Sequence, residues 1–183
     1  YVSIGGFPPA EALAIRGIKM IARSIRTAVN NGNDLKARED MLIASMMGGT
    51  AFSLNGLGAC HAMAHQLSAF FDTPHGLANA ILLPIVMEYN LSACPEKFAD
   101  IAEAMGADVR GMPVEKAARK ALEMVEQLSA DLGVPKYLDD VGASKDQIPA
   151  LVERAMQDNP ITTNPRPCTP ADIKDLYLKA FKP

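Results

Sequence analysis

Helical periodicity runs through almost the whole chain, and the breaks in it are marked by Pro, Gly and Asn. Leu13, Ile15, Ile18, Ile21, Ala22, Ile25 and Val29 recur at helical spacing, with Arg16, Lys19, Arg23 and Arg26 off the stripe. Pro8-Pro9 fits the first turn of that helix, and Asn30-Asn31-Gly32-Asn33 is a strong stop. The four basic residues read as a solvated helix face rather than a phosphate site. Asp34 can cap a second helix reaching about residue 53, with Met41, Leu42, Ser45, Met46 and Gly49 turned inward. Gly48-Gly49 inside it suggests close helix packing or backbone next to a ligand, while the methionines read as core filling. Further helices are expected over 76–89, 95–105, 114–132 and from residue 144 or 145 to 157, the first apolar nearly all round and kinked or broken at Pro84. Thr169-Pro170 is an N-cap and first helical residue for a last helix, and no regular element is expected over 158–167. No strand pattern, repeat or low-complexity tract interrupts this series. The fold class is therefore all-α, a helical bundle, and 183 residues with 49% hydrophobic content can bury one substantial core.

All three histidines lie in one stretch, residues 56–90. His61 and His65 stand four apart, which puts both imidazoles on one helical face. Neutral imidazole is the commonest metal ligand, so the pair is half of a candidate metal site. Ala62 replaces the glutamate that a zinc-protease HExxH motif requires. Asp72 or Thr73 with Pro74 reads as a turn, with His75 at or near the start of the next helix, where a helical hairpin can return it to His61 or His65. Spacing does not say which two of the three would bind an ion. The plain alternative is three solvated or hydrogen-bonded helix histidines. A catalytic metal needs at least three protein ligands and an open position, so the set is incomplete. Asn79, four beyond His75, suits either a bond near the site or a helix contact.

The stretch from 58 to 84 reads G-x-x-H-x-x-x-H-x-L-x-A-x-x-x-T-P-H-G-x-x-N-A-x-L-L-P and resembles a motif of the iron-dependent (group III) alcohol dehydrogenases. The similarity extends through the opening YVSIGGFPPAEALAIRGIKMI, the NGNDLKAREDMLIASMMGGTAFSLNGLG segment and the closing NPRPCTPADIKDLYLKAF. It implies the helical C-terminal domain of that dehydroquinate-synthase-like fold, one metal-binding domain over 1–183. The family's other ligands, on a D-x-x-x-H-x-x-E helix, would precede Tyr1, as would the nucleotide-binding domain. The resemblance places two metal ligands on His61 and His75. It places a non-ligand cleft histidine on His65, and apolar cleft positions on Phe52 and Leu57. It implies Fe2+ or Zn2+, NAD or NADP, a small alcohol or aldehyde substrate, hydride transfer by an intact parent that is a homo-oligomer, and an isolated chain that is inactive.

Other classes fit less well. A helical metallohydrolase needs an adjacent His-Asp pair, which is missing, and the carboxylate nearest the histidines in sequence is Asp72. A noncatalytic helical packing module remains a second reading, with an exposed apolar patch that drives association. A net charge of −3 with 21% charged residues argues against nucleic acid. The longest apolar run, residues 77–87, is about half a membrane span. Cys60, Cys94 and Cys168 are odd in number and contain no CxxC, which favours reduced thiols in the cytoplasm. Cys60, beside His61, reads as a buried small residue.

Overall fold

A computed structural model describes residues 1–183 and is entirely helical, with no strand. Eight α-helices follow in order: α1 Pro8–Asn30, α2 Leu35–Asn55, α3 Ala59–Phe71, α4 His75–Asn90, α5 Pro95–Ala104, α6 Val114–Asp131, α7 Ile148–Gln157 and α8 Pro170–Ala180. Short 3-10 turns occupy Leu138–Val141, Lys145–Gln147 and Asn159–Thr163. The last of these falls where the sequence predicts no regular element. No helix is long and apolar enough to cross a membrane. No disulfide links the three cysteines.

The helices gather into two compact units, Tyr1–Gly56 with Leu91–Leu132, and Leu57–Asn90 with Gly133–Pro183. In the first, α1 lies along α2 and α5 packs on α6. Asp34 caps α2 by accepting from Ala37 N at 2.9 Å, as its sequence position predicts. The buried face of α2 is nevertheless Ala37, Asp40, Ala44, Ala51 and Asn55. Leu42 and Met46 point outward at 74% and 63% exposure, and Ser45 is exposed with them. Apolar residues surround this helix, so periodicity selects no face. Small residues decide instead: on α1, Ala10, Gly17 and Ser24 are buried, and a Cβ at Gly17 would already be in contact with Ala44 O at 3.5 Å. Met20 is the one large α1 residue buried with them, and Val29 lies outside the contact at 59% exposure. Gly48 and Gly49 have open space at the Cβ position, so packing within the unit does not require them.

The polar centre of this unit is Asp40, which accepts from Ser24 Oγ and Arg23 Nη2, each at 2.6 Å. Those donors, the Ser24 hydroxyl foremost, hold its carboxyl down at about 2. Phe98, Ile101 and Ala102 of α5 bury against Ala117, Ala118, Ala121, Leu122 and Val125 of α6. Lys97 ties α5 to α1 through Glu11 at 2.7 Å.

The second unit carries the histidines. α3 and α4 form an antiparallel pair, with α7 and α8 closing over the core. Met63, Leu67, Leu82, Leu151, Ile173 and Tyr177 are all essentially inaccessible. Burial of each such side chain contributes about 1.5–3 kcal/mol. Tyr177 lies wholly inside and donates its hydroxyl to Met63 O at 2.9 Å, which fastens α8 to the backbone of α3. α4 runs unbroken through Pro84, with Leu83 40% exposed, so one side of it faces out. Thr169 and Asp172 form a full capping box on α8.

Candidate metal centre

The turn between α3 and α4 sets the site. Asp72 adopts the left-handed conformation, φ 52°, ending α3. Pro74 disfavours helix in Thr73 before it, and α4 begins at His75. The hairpin therefore returns His75 to the face that carries His61 and His65. Ring centroids lie 5.4 Å apart for His61 and His75, 5.2 Å for His65 and His75, and 6.0 Å for His61 and His65. The His61 and His75 rings meet at 51°, whereas those of His65 and His75 stack at 25°. His61 and His65 are half-buried and His75 is exposed. Burial, then the neighbouring His75 and His65, push His61 down to about 4, so it is neutral at pH 7.

His65 is engaged from a distant part of the chain. Its Nδ1 lies 2.7 Å from Asp158 Oδ2, and Gln66 Nε2 donates to the same oxygen at 3.3 Å. Asn79, placed near the site by its spacing, donates from Nδ2 to His75 O at 3.0 Å and lies 3.1 Å from His75 Nε2. Its Oδ1 also faces the Cys60 thiol at 3.5 Å. Burial pushes that thiol up to about 12, which makes it inert at neutral pH and agrees with a packing role.

The start of α3 is held by Asn164. Gly58, at the cap position, has no side chain to offer. Asn164 Oδ1 accepts from Ala59 N at 3.1 Å instead, and the two buried amides Asn164 and Asn90 bond each other at 2.8 and 3.1 Å. A Cβ at Gly58 would stand 3.0 Å from Asn164 Oδ1, so glycine allows the close approach. Asp158 and Asn164 are absent from the sequence-based site because each acts across about half the chain. The 158–167 segment gave no spacing signal for either.

Residues 1–181 match the Fe-containing alcohol dehydrogenase family, C-terminal. The chain belongs to that family, as its C-terminal domain. It is 46% identical over 181 residues to a 1,3-propanediol dehydrogenase of Citrobacter freundii, covering 99% of the chain and 47% of that protein. It is 45% identical to a lactaldehyde reductase of Escherichia coli K12, again over 99% of the chain and 47% of that protein. Among solved structures, a 1,3-propanediol oxidoreductase superposes with a TM-score of 0.97 at 45% identity, over 99% of the chain and 47% of its partner. An alcohol dehydrogenase from Oenococcus oeni superposes at 0.95 with 41% identity, covering 99% of the chain and 47% of that one. The chain spans about half the length of the curated relatives it matches.

The all-α domain of the iron-containing alcohol dehydrogenases is therefore what the helical punctuation and the long histidine motif anticipate. The donor set of this domain is compatible with part of a metal centre. Imidazole nitrogens bind zinc at about 2.1 Å, which puts ring centroids on a tetrahedral ion roughly 5 Å apart. The His61–His75 separation of 5.4 Å agrees with that, and a ligating ring must also contain the ion in its plane. Planes at 51° can share a nearby point, whereas the displaced, nearly parallel planes of His65 and His75 do not. No group of three or more His, Cys, Asp or Glu side chains is arranged to hold an ion. Of the apolar positions, Leu57 is half-buried in the link before α3, where Thr163 Oγ1 donates to its carbonyl at 3.2 Å. Phe52 lies on α2 in the first unit, 47% exposed.

Proposed function

We propose that residues 1–183 are the metal-binding helical half of a dehydrogenase that moves hydride between a small alcohol or aldehyde and NAD or NADP. The observation that carries this reading is the meeting of three imidazoles at the α3–α4 hairpin, in a chain of this family. His61 and His75 would hold Fe2+ or Zn2+ from this side. Such an ion would supply Lewis-acid polarisation of an alcohol oxygen, and a nicotinamide would supply the hydride acceptor. His61 is already neutral near pH 7, so it offers its lone pair without first losing a proton. Asn79 donates from Nδ2 to the His75 carbonyl oxygen, and the same nitrogen stands 3.1 Å from His75 Nε2. His65, whose Nδ1 faces a carboxylate, takes the proton released from the alcohol hydroxyl at its other ring nitrogen. The assignment of Phe52 and Leu57 to an apolar wall rests on the resemblance alone. Relatives named for 1,3-propanediol and lactaldehyde support a short, polar substrate. Cysteines without disulfides suit a cytoplasmic enzyme.

Calorimetric titration of the chain with Zn2+, or with Fe2+ under reducing conditions, tests the donor assignment. Complete structural zinc sites are worth about 10–16 kcal/mol. Two imidazoles out of four ligands should contribute roughly half, a Kd between about 1 μM and 0.2 mM. His61→Ala and His75→Ala should each weaken binding at least about tenfold, and His65→Ala much less. Nanomolar binding, or an equal loss with His65→Ala, contradicts the assignment.

A further inference from the structure

We propose that Asp158 is the positioning residue of this site: its carboxylate keeps the proton of His65 on Nδ1 and leaves Nε2 bare as the acceptor. The inference rests on the functional reading above for its purpose, but its geometry stands alone. Asp158 sits where α7 gives way to the 3-10 turn Asn159–Thr163. Its backbone is used on both sides: its N–H donates to Ala155 O at 3.3 Å, and its carbonyl accepts from Ile161 N at 3.1 Å. The main chain is thereby fixed, and the side chain reaches α3. There Oδ2 takes two donors from consecutive residues, His65 Nδ1 at 2.7 Å and Gln66 Nε2 at 3.3 Å. Gln66 also donates to Ala62 O at 3.1 Å, so the amide that steadies the carboxylate is itself anchored on α3.

A carboxylate only accepts hydrogen bonds, so the nitrogen facing it must carry the hydrogen. In a neutral imidazole the other nitrogen is then an acceptor. Metal-site and triad histidines are held in one tautomer by this kind of partner. An ordinary exposed ion pair would be indifferent to which nitrogen it used and would hold neither ring nor carboxylate firmly. Here the His65 side chain is 39% and the Asp158 side chain 24% accessible, and a second donor pins the carboxylate. The separation is also at the short end for a charge-assisted bond. When the alcohol hydroxyl gives up its proton, the O–H bond breaks and an N–H bond forms at His65 Nε2. The Nδ1 proton stays where it is, bonded to Asp158.

The chain contains three histidines, so a nitrogen-15 imidazole spectrum of histidine-labelled protein reads the tautomer directly. The spectrum is recorded at pH about 9, on the basic side of the ordinary imidazole range. His65 should be overwhelmingly the Nδ1–H form. Asp158→Ala should shift its ratio of Nδ1–H to Nε2–H tenfold or more toward Nε2–H, given what a charge-assisted bond contributes. The His61 and His75 signals should stay in place, and Asp158→Glu, which returns a carboxylate, should restore the wild-type ratio. An unchanged ratio in Asp158→Ala overturns the proposal. So does a displacement of all three histidine signals, which would make Asp158 a support for the fold, or a Glu variant that behaves like Ala. The zinc titration separates the two ideas: failure of His61 and His75 to bind sinks their assignment as metal ligands and leaves the tautomer result standing.

Discussion

Asn164→Ala is the perturbation whose cost can be worked most fully from the structure. The residue is 4% exposed and its side chain serves five groups: Ala59 N, both polar atoms of the Asn90 amide, Arg166 O at 2.7 Å and, more weakly, Cys168 Sγ at 3.5 Å. Truncation removes the partner from each. A buried polar group that loses its partner costs about 1–3 kcal/mol. The vacated space is about the size of one water, which would recover two or three of the bonds. The net loss should then be about 3–5 kcal/mol, or a drop in Tm of roughly 10 °C for a chain of this size. Asn164→Asp should be at least as damaging. It preserves the acceptor for Ala59 N but sets a second oxygen against Asn90 Oδ1 and the Arg166 carbonyl. Urea unfolding followed by far-ultraviolet circular dichroism measures both, with an unchanged m-value as the check that only stability has moved. The Asn90→Ala, Asn164→Ala double-mutant cycle should show coupling of about 0.5–3 kcal/mol. A single-mutant loss below about 1 kcal/mol would refute the view that this amide bolts the start of α3 in place.

Two further outcomes concern polar groups away from the histidine rings. The Thr73 hydroxyl is buried at the α3–α4 turn with no hydrogen-bond partner, so Thr73→Val should raise stability by about 1–2 kcal/mol in the same urea assay, and a loss would contradict the orphaned state. Asp40 has a folded carboxyl value of about 2 against an ordinary 3.8, so the stability it carries is complete above pH 4 and drains away as pH falls toward 2. Asp40→Asn should lower Tm near neutrality and flatten the acid limb of a Tm-against-pH curve; an acid limb identical to wild type would mean that another carboxylate carries it.

What could be read in the sequence was whatever acts locally. Asp34 and Thr169 cap helices within three residues, and both are legible as caps. The α3–α4 hairpin was legible because Pro74 and a turn residue sit between two helical stretches. The inward face of α2 was not, because Leu42 and Met46 satisfy a helical period as well as Ala37 and Ala44 do. The choice between them is made by Gly17 and Ser24 on another helix, which no window on α2 contains. Asp158 and Asn164 escaped for a sharper reason. They act on residues 93 and 105 positions away, from a stretch whose prolines suggest only irregular backbone. The turn at Asn159–Thr163 is what aims them, and 3-10 structure of that length leaves no period to detect.

These distant contacts explain how a helix with little polar character holds a polar site in register. α3 has a glycine cap and ends in a left-handed residue, so its own sequence fixes neither end strongly. Three groups from the last third of the chain supply the constraint. Asn164 takes the first free N–H at Ala59, Tyr177 donates to the Met63 carbonyl, and Asp158 meets His65 and Gln66. Each lies within a turn or so of a histidine on α3, and each acts on a different part of the helix: end, backbone and side chain. Rotation of α3 about its axis would break the first two bonds, and rotation of the His65 ring would break the third. The imidazole cluster is therefore addressed by its motif but aligned by residues outside it. A family motif can thus be intact in a chain whose imidazoles are misaligned, because the Asn164, Tyr177 and Asp158 contacts that align them lie outside it.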